Sequence, residues 1–131
     1  MRVPIQFRRI MTGSFVVAGL LIAAEVYAGS VKPDEPKVPA EFQSGEVKFT
    51  ANCARCHGPR GIGTNQGPPL VHKIYEPNHH ADMAFFRAAA NGVKSHHWQF
   101  GDMPKIETAT PQDVEQIVKY VRWLQRQAGI M

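Results

Sequence analysis

The chain has 131 residues, 44% hydrophobic and 20% charged, with fifteen Lys and Arg against eleven Asp and Glu for a net charge of +4. That length holds one domain, and the small, scattered basic excess excludes a nucleic-acid protein. Two cysteines, three positions apart, exclude a multi-disulfide scaffold, and no Walker or dinucleotide glycine pattern is present.

Arg2, Arg8 and Arg9 precede an apolar run from Ile10 to Ala24, and Val26-Tyr27-Ala28-Gly29 closes it with small residues. Basic, apolar, then small is the order of a secretory signal peptide. We expect 1–28 to be that segment, cleaved after Ala28. An uncleaved anchor is the alternative, although the run is short for a span of about 20 residues. Its removal takes away three basic residues and Glu25, leaving +2. The expected destination is the periplasm, where covalent cofactor chemistry is possible. Residues 29–40 (GSVKPDEPKVPA) carry three prolines and alternating charges, the composition of an extended tether. Residues 41–131 are the expected domain.

A first helix is expected from Ser44 to Cys53, capped by Ser44, with Glu46 in its first turn and Val47 and Phe49 as apolar bulk. The stretch from Gly58 to Pro77 is rich in glycine and proline and has no periodicity. So long a loop in a small domain is functional or wraps something. A second helix is expected from Ala81 to Ala90, with Asn78 as cap and Asp82 at its positive end, stopped by Asn91-Gly92. Residues 93–109 are loop. The last helix has the strongest signals: Thr110 caps, Pro111 takes the first turn and Asp113 completes a capping box. Val114, Ile117, Val118, Val121 and Leu124 recur at helical spacing, flanked by Tyr120 and Trp123, and read as core. No strand alternation occurs, so the fold is expected to be all-α.

Chemistry concentrates in Cys53-Ala54-Arg55-Cys56-His57. Two cysteines one helical turn apart, followed by histidine, form the attachment pattern of c-type haem. Each thiol can form a thioether with a haem vinyl group, and His57 can ligate the iron. A zinc site needs further ligands, usually a second cysteine pair. A thioredoxin-type pair sits after a strand and requires no following histidine. A disulfide across two residues is a strained staple.

On these residues the chain resembles the class I c-type cytochromes, small single-haem electron carriers, over roughly residues 41 to 126. Gly45 and Phe49, eight and four residues before Cys53, match the family's glycine and aromatic on the first helix. The resemblance implies close approach of the last helix at Gly45 and an aromatic contact from Phe49 to Tyr120 or Trp123. It implies three main helices and long loops wrapped around one covalent haem c. Gly67-Pro68-Pro69-Leu70 matches the family's Gly-Pro-x-Leu. Pro68 would then accept a hydrogen bond from His57, and Leu70 would line the pocket. Met103, in Gly101-Asp102-Met103-Pro104, matches the family's sixth ligand. Met83 is the rival by residue type, but its helical position favours packing. Trp98 and Phe100 are expected against the haem edge, and Tyr75, Arg60 or Trp98 could bond a propionate. The implied function is one-electron transfer between protein donor and acceptor, by a non-enzymatic monomer that meets the membrane only through its partners or an uncleaved signal.

The six histidines exceed what such a carrier needs, and four form the pairs His79-His80 and His96-His97. Three readings stand. The pairs are polar surface around the second helix; or one of His96 and His97 replaces Met103 on iron; or both pairs and Asp82 converge on copper or zinc. A gas-binding or enzymatic haem protein with a labile sixth ligand is the remaining alternative class, separable by carbon monoxide binding.

Overall fold

The computed structural model describes residues 36–130; the expected signal segment and residues 29–35 of the tether lie outside the described residues. Four α-helices follow in order: α1 (Ala40–Asn52), α2 (Ala54–His57), α3 (Asp82–Asn91) and α4 (Pro111–Gln127). Short 3-10 turns at Pro59–Gly61 and Lys73–Tyr75 punctuate the long loop after α2. Among the described residues the only strand-like pairing is an isolated antiparallel bridge between Val93 and Met103. The fold is all-α, as expected.

The helix α1 starts earlier than its Ser44 cap predicted. Pro39 is the N-cap and supplies its carbonyl to the Phe42 N–H, so Ser44 sits exposed inside the helix. Val38 is buried in the core and Gln43 bonds its carbonyl. Hence the end of the proline-rich segment belongs to the domain rather than to a tether. Val47 is 68% exposed and contributes no core bulk.

Helices α1 and α4 pack against each other. Gly45 makes the contact possible, because a Cβ there would lie 2.2 Å from the Gln116 carbonyl oxygen and 2.7 Å from Tyr120 Cβ. Around that contact Phe49 meets Tyr120 with ring centroids 5.7 Å apart, and Phe42 stacks on Trp123 at 5.8 Å. Such aromatic pairs contribute about 0.5–1.5 kcal/mol beyond the area they bury. Lys48 pairs with Asp113, and Thr108 Oγ1 donates to Asn52 Oδ1 at 2.7 Å, which ties the far end of the pair.

The start of α4 follows its sequence signals. Thr110 Oγ1 accepts from the Asp113 N–H at 3.1 Å, and Asp113 Oδ2 accepts from the Thr110 N–H at 3.0 Å. Val114, Ile117, Val118, Val121 and Leu124 are buried, with Tyr120 and Trp123. Asn78 does not cap α3, whose N-cap is Ala81 without a side-chain bond.

Candidate functional site

Phe49 anchors α1, and one turn later the chain reaches Cys53, whose backbone breaks the helix before α2. The Cys53 carbonyl accepts from the N–H groups of Cys56 and His57 at 3.1 and 2.9 Å. The motif is therefore one tight turn. Burial, with neighbouring Cys56 adding to it, pushes the Cys53 thiol up to about 11. That is opposite in direction to the lowered values of thiol–disulfide exchange centres.

His57 is buried, and its Nδ1 donates to the Pro68 carbonyl at 2.8 Å. Burial lowers its pKa, with the Pro68 bond opposing. The bond fixes the tautomer and leaves the Nε2 lone pair free to act as a ligand. The loop that brings Pro68 back is tied to the motif: Thr64 Oγ1 donates to the Cys56 carbonyl at 2.5 Å. Gly67 lies so close that a Cβ would sit 2.9 Å from the same oxygen.

Cys53, Cys56, His57, Pro68, Leu70, Trp98, Phe100 and Met103 all line one cavity of about 790 Å3, within the range of cofactor sites. Met103 is held there by its backbone, which exchanges two hydrogen bonds of 2.9 Å with Val93. Beside it Gly92 has φ +75°, and a Cβ there would lie 2.5 Å from the Met103 carbonyl oxygen.

A family model described as Cytochrome c matches residues 42–125. The chain belongs to the cytochrome c family. No curated protein and no solved structure matches it. This cytochrome c carries a haem c, held covalently through Cys53 and Cys56 of the Cys-x-x-Cys-His motif, and it is an electron-carrier cytochrome. The cavity fits that group independently. Trp98 Nε1 is buried there without a hydrogen-bond partner, a deficit of about 1–3 kcal/mol that a propionate oxygen would remove. Tyr75 lines the same cavity. Burial pushes its phenol up, with the Trp98 side chain opposing.

Three residues weighed from sequence lie elsewhere in this cytochrome. Arg60 stacks over Trp123, 5.4 Å from the ring centroid, and reaches the Pro36 carbonyl, away from the cavity lining. Met83 is 58% exposed on α3 and does not line the cavity. Asp82 Oδ1 accepts from Arg122 Nε at 2.7 Å, and no Asp82 oxygen joins the His79, His80 and His97 nitrogens that lie within 4.8 Å of one another.

Sequence reasoning missed Arg122 and Gln125, both buried on α4. Arg122 Nη1 donates to the Tyr75 carbonyl at 2.7 Å and to Gln125 Oε1 at 2.6 Å, while Nη2 donates to the His80 carbonyl at 2.5 Å. Gln125 Nε2 donates to the carbonyls of Leu70 and Tyr75 at 2.9 and 3.0 Å. Two α4 side chains thus satisfy the backbone of the cavity-lining loop 70–80, which has little regular structure of its own. The available signal was position: Gln125 follows Val121 by four residues and continues the Val114–Val118–Val121 stripe.

Proposed function

We propose that this cytochrome c is an exported one-electron carrier whose axial ligands are His57 and Met103. One observation carries the reading: the buried, tautomer-fixed His57 and the backbone-pinned Met103 line the same cavity as the two attachment cysteines.

Haem c supplies a one-electron iron couple. The chain's part is to hold it. Cys53 and Cys56 anchor the macrocycle, His57 presents Nε2, and Met103 offers a soft, neutral thioether that favours ferrous iron and raises the potential. Leu70 and Phe85 furnish apolar wall, which limits water. Trp98 and Tyr75 supply polar atoms for the propionates. With His57 and Met103 both holding the iron, no position would stay open for a substrate, as a carrier rather than an enzyme requires. The N-terminal basic–apolar–small pattern supports a periplasmic location. Docking to a redox donor and acceptor would be brief and guided by charge around the exposed cofactor edge, where Phe100 is 40% exposed.

Optical spectra of the oxidised protein test the ligation. The weak red band of ferric iron bonded to a methionine sulfur should be present, and Met103→Ala should abolish it while leaving the haem covalently bound. A band that survives Met103→Ala overturns the assignment.

A further inference from the structure

The cavity wall carries a cluster that electron transfer does not need. His79 and His80 end the loop before α3, and His96 and His97 lie in the loop after it. The fold brings these loops together: His79 Nε2 and His97 Nε2 are 3.2 Å apart, and one nitrogen from each of His79, His80 and His97 lies within 4.8 Å of the others. We infer that His79, His80 and His97 form a second metal site, a three-imidazole centre for zinc(II) or copper(II) next to the haem cavity.

Three features support the assignment. The first is spacing. A tetrahedral ion with Zn–N bonds of about 2.0–2.1 Å holds two ligand nitrogens about 3.3 Å apart, and the His79–His97 pair already stands at 3.2 Å. The second is tautomer. His80 Nδ1 donates to the Ile74 carbonyl at 2.6 Å, which leaves its Nε2 lone pair for an ion. Metal-bound histidines characteristically donate their second ring nitrogen to such an acceptor. The third is support. The His80 carbonyl accepts from buried Arg122, whose Nε holds Asp82 at the start of α3, so α4 fixes the backbone on which His79 and His80 stand.

The donor set decides the ion class. All three donors are nitrogen, which suits zinc and copper and not the oxygen-seeking calcium or magnesium. His96 stays outside the three, because only the His79, His80 and His97 nitrogens lie within 4.8 Å of one another; its ring packs beside His97 with centroids 4.3 Å apart. Three protein donors leave a fourth position for water.

All three residues also line the haem cavity. A bound dication there adds positive charge beside the redox centre and favours its reduced state. This second effect rests on the electron-carrier reading; the binding itself does not.

Titration of chelator-stripped, haem-loaded protein with zinc chloride, followed by calorimetry, tests the site. Uptake should saturate at one zinc per chain. His97→Ala should weaken it by at least about 100-fold, the upper end of the loss seen when only a supporting residue is removed. His96→Ala should change it only a few-fold. Circular dichroism of each variant verifies the fold, and copper(II) paramagnetic resonance should show splitting from several nitrogens. Zinc should raise the midpoint potential of the parent protein and leave His97→Ala unmoved. Absence of uptake, or uptake indifferent to His97→Ala, overturns the proposal. Loss of the methionine–iron band in His97→Ala also overturns it, because His97 would then be needed to hold the Met103 side of the haem pocket. Failure of Met103→Ala to remove that band, with zinc uptake intact, would instead overturn the axial assignment alone.

Discussion

Replacing Gly45 with alanine tests the closeness of α1 and α4. The added Cβ would sit 2.2 Å from a main-chain oxygen, where ordinary contact begins at 3.4 Å, so the helices must move apart by about 1.2 Å or bend. The oxygen belongs to Gln116 inside α4, and Tyr120 Cβ stands 2.7 Å away, so no flexible side-chain end can yield. Overpacking of a close core costs typically about 1–3 kcal/mol, and a backbone clash this deep belongs at the upper end. Alanine returns about 1 kcal/mol of helix propensity, for a net loss near 2 kcal/mol. In a domain of this size that lowers the melting temperature by roughly 8–16 °C. The assay is thermal unfolding of the oxidised haem protein followed by far-ultraviolet circular dichroism. Ser44→Ala, at the exposed neighbouring position, serves as control, and surface changes of that kind stay within about 0.5 kcal/mol. A Gly45→Ala protein that melts with the parent or above it would refute the argument that helix approach limits this position.

Three further outcomes follow from the same geometry. Arg122→Met should cost about 2–3 kcal/mol in denaturant unfolding, since it strips donors from the Tyr75 and His80 carbonyls and from Gln125 Oε1; unchanged amide exchange across 70–82 would count against a clamp. Gly92→Ala places a Cβ 2.5 Å from the Met103 carbonyl oxygen at a left-handed φ. The methionine–iron band should weaken and carbon monoxide should bind the reduced protein faster, whereas an unaltered band would show that Gly92 does not position Met103. Lys48, then Thr110, hold the Asp113 carboxyl down at about 2 against its ordinary 3.8. A depressed folded pKa stabilises above the unfolded value, so this contribution is present above about pH 4 and lost as pH falls towards 2. Asp113→Asn should flatten that part of the acid-unfolding curve, and an unchanged curve would contradict the pairing.

The readable parts of this chain were those whose physics is local. The Thr110–Asp113 capping box spans three residues and forms as its sequence demands, and Cys53 to His57 occupy a single turn. The His57–Pro68 bond and the Gly45 contact came through resemblance, because each joins distant positions that no periodicity links. Errors arose where a residue type was read without its surroundings. Ser44 is a good cap but lies inside a helix that begins at a proline turn. Val47 and Met83 are apolar yet face solvent. Asp82 stands beside the histidines in sequence, but a buried guanidinium from α4 claims it. Arg122 and Gln125 drew no reading from sequence, because polar types on a helix carry no burial signal; their burial follows from loop carbonyls that only the folded chain gathers around them.

The pairing of α1 and α4 has a topological consequence. Phe42, near the start of α1, meets Trp123 and Arg126 near the end of α4, while Asn52 meets Thr108 at the other end. Everything from Cys53 to Ala109 is therefore a single loop tied shut by its first and last helices. Closing a loop of that length carries an entropy cost that grows only with the logarithm of its size, and the cost falls on one event. The attachment motif lies at the base of the loop, so it is exposed on the chain until α4 docks against α1. Covalent capture of the cofactor can thus precede the closure that buries it, and separation of the helix pair releases the whole loop at once.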